Sequence, residues 1–307
     1  KMKVCKIFII LISSFFLLLS GCNSREIPVT KNEQLLSGIT LDNAAVITEA
    51  VVDMFDRPDV LGNRLTQVLY NQVVKVIKEE GSWTNITLLD GSTGWVKSKY
   101  VSRNIDCVTD GSINNKIVVT AKIADIYTGA NNVVNYKKVV LGTELYSTGK
   151  NKTGYDVLLP GNKKGWIEEG GVIAIPIEDK IVPKTSSDEF IQTVKKFKGT
   201  IYIVGGLSRW GMDSSGLVYI CSKINGVEVP RDIEKMSKTG TEVTFEQLQP
   251  GDLIFFSTDS LKEDINDVGI YSGENKFFHS STTKGVIEET LEDTYFKDRI
   301  YTIRRIF

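Results

Sequence analysis

Three residues of this chain have the types that nucleophilic chemistry uses: Ser214, Asp267 and His279. Ser214 stands in Gly211-Met212-Asp213-Ser214-Ser215-Gly216-Leu217-Val218. The strand-like Tyr202-Ile203-Val204-Gly205-Gly206 precedes it, and an apolar run ending in Asn225-Gly226 follows. This order reads as a strand, a glycine turn and a helix over residues 215–224 that opens on small polar side chains. The first turn of a helix presents free N–H groups and a partial positive charge. That placement turns a thiol into a thiolate and does far less for a hydroxyl. Asp267 and His279 flank a turn around Gly273, and a loop of about three or five residues would set them directly opposite on neighbouring strands. His279 is the chain's only histidine, so a metal site built on a histidine cluster is excluded.

The elements that must position these residues occupy the last third of the chain. Ser186-x-x-Glu189 is a capping box. Phe190, Ile191, Val194 and Phe197 follow it at helical spacing, the buried stripe of an amphipathic helix. Strands are expected at 252–256, 267–271 and 276–280. Helices on an antiparallel sheet make an α+β arrangement. Upstream, the residues from Val68 to Ile77 followed by LLDGSTGWV (88–96) resemble those from Val139 to Thr148 followed by LLPGNKKGWI (158–167), a repeat of roughly 70 residues. Their alternation and frequent turn signals predict two small β barrels, with Trp95 and Trp166 capping their cores. Cys221 lies two helical turns beyond Ser214, about 10 Å along the axis, and reads as a buried structural thiol.

Composition is ordinary for a globular protein, with 41% hydrophobic and 24% charged residues. A net charge of −1 argues against an electrostatic nucleic-acid footprint. The N-terminus is distinctive. Lys1, Lys3 and Lys6 precede an apolar run from Ile7 to Leu19, the pattern of a secretory signal too short for a comfortable membrane span. Leu19-Ser20-Gly21-Cys22 then resembles a bacterial lipobox, in which Cys22 becomes the lipidated first residue. Residues 23–44 read as a polar tether.

The stretch YIVGGLSRWGMDSSGLVYICSKINGVEVPRD resembles the core of the NlpC/p60 family, the papain-like cysteine peptidases of bacterial cell walls. LQPGDLIFF (248–256), NDVGIYSGENKFFHSS (266–281) and RRIF (304–307) continue the match in order. The repeated β segments resemble the bacterial SH3 domains that precede the peptidase in this family. The fold implied is an α+β papain-like domain over 185–307, preceded by two all-β SH3-like barrels over 45–105 and 113–178, with the signal and lipobox in 1–22.

The resemblance also implies a site. The family's nucleophile is a Cys at the position of Ser214 and its base a His at the position of Asp267; only His279 matches. The base position would put Asp267 beside Ser214 with His279 on its far side. A working triad needs the His between the other two, and a carboxylate is a poor base for a hydroxyl. Tyr202, Ser215 and Asp232 fall where family members hold the free amine of a terminal L-alanine, and Tyr100 of the first barrel is a weaker candidate contact. Three functions are compatible with these residues: a muropeptide-binding pseudoenzyme, an active γ-D-glutamyl-L-diamino acid endopeptidase, and a scaffold acting through its SH3-like repeats. The expected partners are peptidoglycan stem peptides and, through the lipid, the outer face of the cytoplasmic membrane. No cofactor, metal or nucleic acid is expected, and the chain is expected to be a monomer.

Overall fold

The computed structural model describes residues 39–129, 134–179, 181–259, 261 and 264–307. The signal-like run and Cys22 lie outside them. The first sheet contains β1 (Ala44–Ile47), β2 (Val51–Phe55), β3 (Arg64–Leu69), β4 (Val73–Glu80), β5 (Trp83–Thr87), β6 (Thr93–Lys97) and β7 (Val101–Ser102). After a short helix, α1 (Asp106–Thr109), the second sheet contains β8 (Asn115–Val119), β9 (Ile123–Thr128), β10 (Val134–Val140), β11 (Glu144–Lys150), β12 (Gly154–Leu159), β13 (Lys163–Glu168) and β14 (Val172–Pro176). The strand orders are β3-β2-β6-β5-β4-β1-β7 and β10-β9-β13-β12-β11-β8-β14. Adding seven to each label of the first gives the second, so the two units share one topology.

The tryptophans are not members of these two core clusters. Strand alternation sends Val96 and Ile167 into them and the neighbours Trp95 and Trp166 to the other strand face, where Trp95 is still buried and Trp166 half-buried. Trp95 pairs with Phe55 across β6 and β2, and the Lys78 ammonium lies 4.8 Å from its ring centroid. Trp166 lies over Gly154, where a Cβ would come within 2.7 Å of its ring.

The third unit contains α2 (Ser187–Lys195), β15 (Leu207–Ser208), β16 (Gly211–Met212), α3 (Ser214–Ile224), α4 (Ile233–Met236), β17 (Thr241–Glu242), β18 (Leu253–Ser257), β19 (Ile265–Gly273), β20 (Lys276–Ser281), β21 (Gly285–Thr290), α5 (Thr294–Lys297) and β22 (Ile300–Arg305). Its six-stranded antiparallel sheet has the order β17-β22-β18-β19-β20-β21. The capping box at Ser186 and Glu189 starts α2, and Phe190, Ile191 and Val194 are its buried side chains. Helix α2 packs on α3, and α3 on β19 and β20. One apolar core joins all three units: Leu69, Val140 and Ile175 of the β units pack with Phe190, Ile220 and Val268.

The β19–β20 connection differs from expectation. Glu274 and Asn275, both at positive φ (52° and 54°), form a two-residue turn of the kind that matches strand twist. The turn is therefore centred past Gly273, and Ile270 pairs with Phe278. His279 falls level with Gly269, and Asp267 becomes its diagonal neighbour rather than its direct partner.

Candidate functional site

Helix α3 begins one residue earlier than expected because Asp213 caps it. The Asp213 carboxylate accepts from the Gly216 N–H at 2.7 Å and the Gly205 N–H at 2.7 Å, fixing the glycine turn to the helix. Gly216 allows this approach, since a Cβ there would stand 2.1 Å from the Gly206 carbonyl oxygen. Behind the cap lies Arg231, with 9% of its side chain exposed. Its Nη2 donates to both Asp213 carboxylate oxygens at 2.8 Å, and its Nη1 donates to the Ser215 hydroxyl. Sequence reasoning passed over this arginine; its place beside Pro230 at the end of the α3 loop was the available signal.

Ser214 is thus the first residue of α3, and it is buried. Its hydroxyl accepts from the Ser280 N–H at 3.0 Å and donates to the Ser280 carbonyl at 3.3 Å. These bonds stitch the helix to β20 and leave the hydroxyl with no imidazole partner among the described residues.

The imidazole is engaged elsewhere. His279 Nδ1 lies 2.7 Å from Asp267 Oδ2, and Nε2 lies 3.2 Å from Glu289 Oε2. Asp267, His279 and Glu289 sit on β19, β20 and β21 as successive diagonal neighbours on one face. Burial alone would lower the His279 pKa, but the hydrogen bond and charge of Asp267, joined by those of Glu289, carry it above its usual value. Both ring nitrogens face carboxylates, and Lys284 also meets Glu289 at 3.1 Å. An imidazole engaged on both nitrogens in this way has none directed at a serine hydroxyl. Glu289 was not expected; its signal is the pairing of Glu289 with Phe277, two residues from His279 on the neighbouring strand.

Ser214, Ser215, Asp267, His279 and Tyr202 line one cavity of about 390 Å³ together with Asp213, Glu289 and Arg299. Burial, then the charges of Asp213 and Asp267, raises the Tyr202 hydroxyl pKa, and Arg231 works against them. Two expected contacts lie elsewhere. Asp232 is exposed and caps α4, accepting from the Lys235 N–H at 2.9 Å. Tyr100 packs against the core of the first sheet. Cys221 is fully buried, and its thiol pKa is pushed up by that burial. The first sheet reaches the site from outside: Arg64 donates to the Val204 carbonyl at 3.1 Å, and the Leu207 N–H donates to Gln67 at 3.1 Å.

Comparison with known proteins agrees with this architecture. The NlpC/P60 family model matches residues 199–305, and the bacterial SH3 domain model matches residues 51–102. A γ-D-glutamyl-L-lysine dipeptidyl-peptidase of Bacillus cereus is 30% identical over 231 residues, covering 73% of this chain and 69% of that protein. An enzyme of the same description from Bacillus subtilis is 28% identical over 253 residues, covering 79% of this chain and 81% of that protein. The crystal structure of an NlpC/P60 family protein from Bacillus cereus superposes with a TM-score of 0.80 at 25% identity, covering 86% of this chain and 99% of that one. With the matching family model, the relatives and the superposed structure in agreement, the chain belongs to the NlpC/P60 family.

Proposed function

We propose that this chain binds peptidoglycan stem peptides of the L-Ala-γ-D-Glu-diamino acid type on a papain-like α+β peptidase scaffold, with catalysis lost or strongly impaired. The observation that carries this reading is the separation of Ser214 from the imidazole. The hydroxyl is spent on the Ser280 backbone, and both ring nitrogens of His279 face carboxylates. A hydroxyl without an adjacent base is a weak nucleophile. Ser214, Ser215, Tyr202 and His279 line one cavity of about 390 Å³, and the relatives named for γ-D-glutamyl-L-lysine cleavage suggest the substrate class. The Tyr202 hydroxyl, which lines the cavity with Asp213 and Asp267, offers an acceptor for the ammonium of a free N-terminal alanine.

Calorimetry with L-Ala-γ-D-Glu-meso-diaminopimelate tests the reading. Binding is expected, weakened when the alanine is N-acetylated. Asp232→Ala is expected to leave affinity unchanged, because that carboxylate serves α4. Equal affinity for the acetylated peptide would reject the amine end of the assignment.

The N-terminal pattern supports a cell-envelope lipoprotein, acylated at Cys22 and held at the outer face of the cytoplasmic membrane. One acyl chain binds membranes only marginally, so diacylation is expected. Mass spectrometry of the mature protein should find an acylated Cys22 at its start; an unmodified N-terminus further along the chain would reject the anchor.

A further inference from the structure

Among the described residues, the charged groups around the cavity have partners of opposite charge or an imidazole, with one exception. Asp213 meets Arg231 behind the wall. Asp267 and Glu289 meet His279, and Glu289 also meets Lys284. Arg299 is the remaining basic side chain on the wall, and it meets no carboxylate among the described residues. It is nevertheless held in place. Nη1 donates to the Tyr295 carbonyl at 2.8 Å, Nε to the Thr258 carbonyl at 3.5 Å, and the guanidinium stacks 4.0 Å from the Tyr295 ring centroid. These contacts use neutral acceptors and leave Nη2 unengaged. An arginine fixed by carbonyls and a ring, at the edge of a cavity and with no counter-charge among the described residues, is pre-organised for an anion.

We infer that Arg299 is an anion subsite that takes a carboxylate of the bound ligand. Arg299 lines the cavity beside Ser257 of β18 and Tyr295 of α5, so the ligand would set its carboxylate toward Arg299 and its ammonium toward Tyr202. This deepens the stem-peptide reading and rests on it for the identity of the ligand. Asn266, which also lines the cavity, offers a carboxamide donor.

The test compares L-Ala-γ-D-Glu-meso-diaminopimelate with the same peptide amidated at its diaminopimelate carboxyls, on wild type and on Arg299→Gln, by calorimetry. Amidation is expected to weaken wild-type binding about tenfold, the worth of one hydrogen bond to a charged group. Arg299→Gln should lose that discrimination while keeping the preference for a free amine. Peptide binding that ignores both amidation and the substitution overturns the subsite and leaves the stem-peptide reading standing. If neither peptide binds, that reading fails, and glutarate decides the subsite alone. A glutarate-dependent shift of the Arg299 side-chain NMR signals would sustain it, and signals that do not move would overturn it.

Discussion

Removing the Asp213 carboxylate should damage the fold more than removal of any other charge at the site. Asp213→Ala deletes the acceptor for Gly205 N–H and Gly216 N–H and strands the Arg231 guanidinium, whose side chain is 9% exposed against 16% for Asp213. Loss of an N-cap costs about 1 kcal/mol. Leaving a buried charge without its partner costs about 3–5 kcal/mol. One carboxylate performs both tasks, so the costs overlap, and about 3–5 kcal/mol is expected in total. Arg231→Met leaves the carboxylate with its two backbone donors and should cost about 1–3 kcal/mol. The double variant should fall short of the sum, because each single change already breaks the pair. Urea unfolding with an unchanged slope reads these values as midpoints. An Asp213→Ala loss below about 1 kcal/mol, or strict additivity in the double variant, would refute the role given to the cap and its arginine.

Three further outcomes follow from the same geometry. The single histidine gives a single NMR titration: the usual imidazole titrates near 6.5, and the His279 midpoint should lie above that because Asp267 and Glu289 outweigh burial. A folded pKa above the unfolded one means that the stabilisation is whole below about 6.5 and is lost as pH rises through the folded value; a midpoint at or below 6.5 would contradict the clamp. Gly216→Ala should cost about 1–3 kcal/mol by driving a methyl into the Gly206 carbonyl and should weaken peptide binding, as read by a melt and by calorimetry. Ser214→Cys with Asp267→His should gain cleavage activity, since losses of triad members commonly span factors of about 10⁴–10⁶; Ser214→Cys alone should gain little, as Asp267 would disfavour a thiolate. Failure of the double change with binding intact would place the divergence in the cleft rather than in the two side chains.

Local signals carried much of this structure. The Ser186 capping box, the apolar stripe of α2 and the Asn225-Gly226 stop are short-range features, and their helices appear where the spacing put them. The site was legible as a set of residues and less so as a set of contacts. Register across β19 and β20 depends on a two-residue turn with left-handed Glu274 and Asn275, and one residue of shift turns a facing pair into a diagonal one. Glu289 was hidden because it joins His279 from a strand ten residues away. Asp232, expected at the ligand amine, caps α4 in this structure, while its neighbour Arg231 turns inward to the Asp213 carboxylate, where only a cation is stabilised. The tryptophans lie on the strand face opposite Val96 and Ile167 because period-two alternation assigns those two to the core clusters.

The central claim is that this cavity holds a stem peptide and does not cut it. Prolonged incubation of the unmodified protein with L-Ala-γ-D-Glu-meso-diaminopimelate, followed by mass spectrometry of the peptide, tests it most directly. The account predicts intact peptide under conditions where calorimetry shows binding, and the same result for Ser214→Ala. Release of L-Ala-γ-D-Glu by the unmodified chain, abolished in Ser214→Ala, would contradict it and make the protein an endopeptidase that uses serine.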